Sequence, residues 1–127
     1  MERQGFYRES VLRGIWKQAA ARGWRVRGTD PTPAAIAAIR DWAPCGIIAS
    51  LSTAEMAEAV SEFGLPLVDV FDWVELPAGA HRVGIDDYAV GRLAATFLAA
   101  RGLRNFAFVG ELSRRFALRR FQGFREQ

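Results

Sequence analysis

The chain has 127 residues, 50% of them apolar, 24% charged and 12% aromatic, which is the make-up of a folded domain and not of a disordered tail. A body of this length buries about two-thirds of its unfolded surface, so it needs neither metal nor disulfide scaffolding. Its one cysteine, Cys45, allows no internal disulfide and is expected to be a small buried hydrophobe in a reducing, cytoplasmic setting.

Arg8 to Arg22 carries Val11, Leu12, Ile15, Trp16, Ala19 and Ala20 at i, i+3, i+4 spacing, which predicts a helix with one apolar stripe, closed by Gly23. Trp24 to Arg27 alternates apolar and basic residues and predicts a short strand, followed by a turn at 28–31. Thr32 then caps and Pro33 opens a second helix with Ile36, Ile39 and Trp42 facing inward, stopped by Ala43-Pro44. Cys45 to Ala49 is a short apolar run between breakers, the pattern of a strand buried on both faces. Ser52-Thr53-Ala54-Glu55 has the capping-box form and starts a helix through Met56, Ala59, Val60 and Phe63 to Gly64.

Leu67 to Phe71 is the next predicted strand, and Arg82 to Asp86 another after an irregular stretch. Asp87 to Arg101 is an Ala/Leu-rich helix closed by Gly102, Phe106 to Val109 an apolar strand, and Arg114 to Gln127 a basic, amphipathic last helix. Alternating helices and apolar strands imply an α/β chain, with a doubly wound parallel sheet whose ligands sit beyond the carboxyl ends of the strands. The order opens on a helix where such a sheet opens on a strand, so residues 1–6 are expected to be the remains of a loop, or the chain a truncated piece.

Charge is unevenly laid out. Residues 1–28 hold seven Lys or Arg against two acids, residues 29–110 five against ten, and residues 111–127 five against two. All the cations but Lys17 are arginines, which points to a GC-rich genome more than to a nucleic-acid surface. No run of roughly 18 apolar residues and no export signal is visible, which argues against a membrane span and secretion. No P-loop or G-x-G-x-x-G is present, and His81 has no nucleophile turn to serve, so neither a cofactor nor an enzyme is implied. The acids Asp69, Asp72, Asp86 and Asp87 lack the further carboxylates that a metal cluster of the receiver type needs, and no metal is expected.

One stretch is more specific. Asp86-Asp87-Tyr88-Ala89-Val90-Gly91, with Ala94, Leu98 and Gly102, follows D-(D/N)-x-x-x-G-x-x-A-x-x-x-L-x-x-x-G; a predicted strand ending in Gly110 comes next, and Arg120-Phe121-Gln122-Gly123-Phe124-Arg125 fits R-x-x-G-F-R. This set resembles the LacI/GalR-type sugar-responsive regulators, which have the type 1 periplasmic-binding-protein fold. Tyr7, Val11 to Ile15 and Phe106-Ala107-Phe108 resemble most the xylose-operon regulators whose sugar lobe is followed by an AraC-type DNA-binding domain.

The resemblance implies that 1–104 form the N-terminal lobe of a sugar-binding domain, without its leading strand, and that 105–127 start the second lobe. It implies a small-molecule sugar effector, a homodimer, and DNA contact only through a domain outside these residues. Sugars are held by carboxylates, Arg forks and aromatic rings in a water-excluding cleft. The ligand-binding candidates are accordingly Tyr7 and Arg8 at the first helix, Phe71 and Asp72 with Trp73 at a strand end, Asp86, and Arg120 of the R-x-x-G-F-R stretch. Asp86 can equally be a helix cap, Arg120 a solvated charge, and Phe71 to Trp73 plain packing. A transporter's sugar-binding component and a non-binding dimerisation fragment, dimerising through 8–22 and 53–64, are the alternatives.

Overall fold

Helix α1 runs over Arg3–Arg22, five residues earlier than predicted. In this computed structural model, residues 3–127 are described, with side chains from Tyr7 onward. The expected loop at residues 1–6 is thus helical from Arg3, while Met1 and Glu2 lie outside the described residues. Tyr7, Val11 and Ile15 are half-buried and Ala19 is buried, a stripe at i+4 spacing that is narrower than predicted, because Leu12 and Trp16 stay exposed. Gly23, at φ +66°, ends the helix with a Schellman pair: Trp24 N–H donates to Ala19 O (2.9 Å) and Gly23 N–H to Ala20 O (3.4 Å).

The described residues up to Ile39 form one compact unit and Arg40–Gln127 a second. The strand predicted at 24–27 does not form: no partner strand pairs with it among the described residues, and alternation without a partner edge gives no ladder. The second predicted helix is broken into α2 (Pro33–Ala37) and α3 (Ile39–Trp42) by a turn at Ala38. Thr32 caps α2 as expected, accepting from Ala35 N–H at 3.2 Å. Ile36 and Ile39 are half-buried, but Trp42 is exposed, because two turns of helix present too short a face to cover it.

In the second unit, β1 (Ile47–Ala49), β2 (Leu67–Asp69) and β3 (His81–Arg82) form a parallel sheet in the order β1-β2-β3. Strand β1 is not buried on both faces, since it lies at the sheet edge and Ile48 is 49% exposed. Cys45, just before it, is exposed, a correction to its expected burial. Strand β3 is shorter than predicted and starts one residue earlier, at His81, while Val83 and Ile85 are exposed beyond its end. Helix α4 (Ala54–Ser61) crosses from β1 to β2; its cap is Thr53, not Ser52, with Met56 N–H donating to Oγ1 at 3.2 Å. The first-turn backbone N–H and the Thr53 hydroxyl hold the Glu55 carboxyl below the usual carboxylate range. Leu51, Ala57, Val60 and Leu67 form the buried apolar set of this part. No described helix is long and apolar enough to cross a membrane.

Helix α5 (Asp87–Ala99) and helix α6 (Arg115–Arg125) make the closest crossing in the second unit. A Cβ built on Gly91 meets Arg120 O at 2.0 Å, and one built on Gly123 meets Tyr88 O at 2.1 Å. Only glycine at both positions lets the two backbones touch. Arg120 Nε–H donates to Asp87 Oδ1 at 2.6 Å, and Tyr88 OH to Glu126 Oε2 at 2.6 Å. Phe106 and Phe108 pack their rings on Phe121 and Phe124, along an open groove between the helices. The strand predicted at 106–109 is absent: Val109 is 96% exposed, and an apolar run with no strand beside it serves here as a helix-facing segment.

Adding a methyl at Gly91 or Gly123 forces two backbones apart, so Gly91→Ala and Gly123→Ala are each expected to cost about 3 kcal/mol in urea unfolding, the top of the overpacking range. Gly14, inside α1 with open space where a Cβ would stand, is the control: Gly14→Ala is expected to gain about 0.5–1 kcal/mol of helix stability. The Tyr88 phenol is held above its ordinary value of 10.0, first by the hydrogen bond to Glu126 and then by loss of hydration and the Glu126 charge. The bond therefore supports the fold below the ordinary tyrosine range and is lost as pH rises through the raised value. Ultraviolet titration should show one phenol ionising late, and Glu126→Gln should bring it back down.

Candidate functional site

Strand β2 places Asp69 at the carboxyl end of the sheet with 0% exposure. A carboxylate without water is tolerable only when its oxygens are filled, and here both are. Oδ1 accepts from Leu51 N–H (3.1 Å), in the segment leaving β1, and from Phe71 N–H (3.2 Å). Oδ2 accepts from Arg82 Nε (2.8 Å), on β3. One side chain thus ties the ends of all three strands.

Arg82 spreads its fork over the loop that follows β2. Nε also donates to Phe71 O (2.9 Å), Nη1 to Asp72 Oδ1 (2.5 Å) and Nη2 to Val74 O (2.6 Å). A planar guanidinium can satisfy this many fixed acceptors, and a lysine cannot. The loop, 71–75, thereby presents Phe71 and Trp73 in an edge-on pair, with ring centroids 5.5 Å apart.

The start of α6 meets the same loop. Arg115 Nε lies 2.7 Å from Asp72 Oδ1, as a close ion pair whose N–H is not aligned on the oxygen, and Arg115 Nη1 donates to Glu75 Oε2. Phe116 N–H donates to Asp72 O at 3.0 Å. Arg114 stands over the Trp73 ring, 5.1 Å from its centroid, with Glu111 3.4 Å away. The result is an aromatic pair edged by carboxylates and guanidiniums at the carboxyl end of a parallel sheet, the chemistry that holds hydroxyl groups.

Of the residues singled out from sequence, Phe71 and Asp72 belong to this cluster, with Trp73 beside them. Asp86 is the N-cap of α5, accepting from Ala89 N–H at 3.0 Å, and Arg120 pairs with Asp87, which is 3% exposed, at the α5/α6 crossing. Tyr7 and Arg8 lie on α1 in the first unit, Tyr7 half-buried and Arg8 exposed. Sequence reasoning missed Arg82, Arg115 and the structural role of Asp69; Arg114 falls in the segment 111–114 that follows the last predicted strand, where ligands of such a sheet are expected. The signal for Asp69 was present: a carboxylate inside the apolar run Leu67 to Phe71 must find a buried cation. Among the described residues no group of three or more His, Cys, Asp or Glu is placed to hold a metal ion.

Asp69→Ala leaves Arg82 and two backbone N–H groups without their acceptor and is expected to cost about 3–5 kcal/mol in chemical unfolding. Arg82→Lys, which keeps the charge but loses the fork, should cost about 1–3 kcal/mol. Glu75→Gln, at an exposed pair, should cost less than about 1 kcal/mol. A loss at Glu75 equal to that at Asp69 would refute this ranking.

No family model and no solved structure matches the chain. It is similar to curated proteins named Xylose operon regulatory protein: those of Escherichia coli strain K12, strain CFT073 and O157:H7 are each 27% identical over 128 residues. The match takes in 94% of this chain and 33% of each relative, so the chain spans about a third of the length of the curated relatives it matches.

Proposed function

We propose that this chain is the effector-sensing part of a bacterial transcription regulator, a non-enzymatic sugar lobe of LacI/GalR type with type 1 periplasmic-binding-protein architecture. The observation that carries the reading is the similarity to xylose operon regulatory proteins along 94% of the chain. The cluster at the carboxyl end of β2 supports it, because its groups are those that recognise a polyhydroxylated ligand. Asp69, Asp72, Glu75 and Glu111 stand against Arg82, Arg114 and Arg115, so the cluster is balanced to within one charge. Such a balance suits an uncharged sugar better than a sugar phosphate.

In this reading the doubly wound first lobe covers residues 1–104 and the second lobe begins at 105, with the start of α6 bonded directly to the loop 71–75 beside the sugar site. The regulator works as a cytoplasmic homodimer, and DNA is contacted through a domain outside these residues. Sugar acts by its differential affinity for closed and open forms.

D-xylose titrated into the isotopically labelled 127-residue chain is expected to shift the amide signals of 71–75 and 114–116 saturably. Trp73→Ala, which removes the ring face, should weaken the apparent affinity about tenfold. A folded chain whose signals stay unmoved by D-xylose and by other pentoses and hexoses would overturn the sugar-sensing reading.

A further inference from the structure

We infer that the 71–75 loop is the N-terminal cap of α6, supplied from 40 residues away in sequence, and that occupancy of the loop is thereby read out as order or fraying in the first turn of α6. This deepens the effector-sensing reading and, for its ligand arm, rests on it.

A helix leaves its first backbone N–H groups without partners, and these are normally taken by a Ser, Thr, Asp or Asn side chain at the N-cap. Helices α2, α4 and α5 follow that rule with Thr32, Thr53 and Asp86. Helix α6 does not: its N-cap residue is Arg114, which has no acceptor atom and makes no side-chain cap bond. The Phe116 N–H, which a cap would take, is instead accepted by Asp72 O.

Charge sharpens the dependence. The positive end of the helix dipole disfavours cations, yet α6 begins with Arg114 and Arg115 and has no acid in its first turn. The Asp72 and Glu75 carboxylates, paired with Arg115, supply the missing negative charge, and the Trp73 ring face lies against the Arg114 guanidinium. The first turn of α6 is therefore conditional on the loop, whereas its middle is fixed by the glycine crossing with α5. A ligand that binds Asp72 and Trp73 changes the groups that make the cap, and so changes the helix.

Amide hydrogen exchange on the 127-residue chain tests this. Asp72→Ala keeps the main-chain carbonyl that accepts the Phe116 N–H but removes the carboxylate that pairs with Arg82 and Arg115 and so holds the loop against α6; the Phe116 amide should then exchange roughly five-fold faster or more, while α5 amides around Leu93 and Ala95 keep their rates. If that variant does not fold, Asp72→Asn, which keeps the size but removes the charge paired with Arg82 and Arg115, is measured against the same criterion. Unchanged exchange at Phe116, or acceleration spread equally over α5, overturns the cap. D-xylose added to the wild-type chain should alter the Phe116 rate and leave Asp72→Asn unaffected. Calorimetric binding without a change at Phe116 overturns the readout; absence of binding with the variant effect intact refutes sugar sensing and upholds the cap.

Discussion

The buried pair of Asp69 and Arg82 is the constraint on which the carboxyl end of the sheet depends. A three-stranded sheet of two- and three-residue strands has few ladder bonds of its own. Asp69 adds cross-links that no ladder provides, to the exit of β1, to its own loop and to β3. Because its carboxylate has no access to water, the cost of separating it from Arg82 is that of an unpaired buried charge, several kcal/mol. Arg82, so fixed, holds two carbonyls and a carboxylate of the 71–75 loop and gives that loop one conformation. The polar contacts that tie the 71–75 loop to β2 and β3 follow from that order of dependence.

The second constraint is the contact between two backbones at α5 and α6, and it changes the meaning of the most specific motif in the chain. D-D-x-x-x-G and R-x-x-G-F-R are distant in sequence but form the two halves of one contact. Gly91 and Gly123 remove the Cβ atoms, and Asp87 and Arg120 pair beside them. The motif therefore encodes a helix crossing. Asp86 and Arg120, put forward as ligand contacts, are engaged as a cap and in this pair. In this structure the motif's glycines and its Asp87–Arg120 pair make a packing contact, while Phe71, Asp72 and Trp73 lie in a loop that the motif does not include.

Helices with a cap or a glycine stop were legible because these signals are local: Thr32, Gly23, Gly64 and Gly102 stand where the structure uses them. Strands were less so, because a strand is a relation between two segments. Trp24 to Arg27 and Phe106 to Val109 have the alternation or apolarity of strands, but no edge meets them. Of the site, Phe71 and Asp72 were legible from their place after an apolar run. Arg115 was not, because a basic helix start looks like a solvated face until the distant loop that neutralises it is known.

The two sets of contacts on α6 differ in kind, and that difference sets how the helix can move. The glycine crossing is a contact between main chains, with no side chain to rearrange, so it holds one geometry or breaks. The contacts at the N-terminal end are ion pairs and one backbone hydrogen bond, with Arg115 about one-third exposed, and water or ligand hydroxyls can replace each partner at small net cost. On the readout inferred above, a rearrangement of α6 pivots about Gly123 and is released at Phe116. The free end is the one that carries Arg114 and Arg115 against the aromatic pair. On the proposed reading, a molecule bound at Phe71 to Trp73 acts where the structure resists least, on a lever whose fulcrum the Gly91–Gly123 contact fixes.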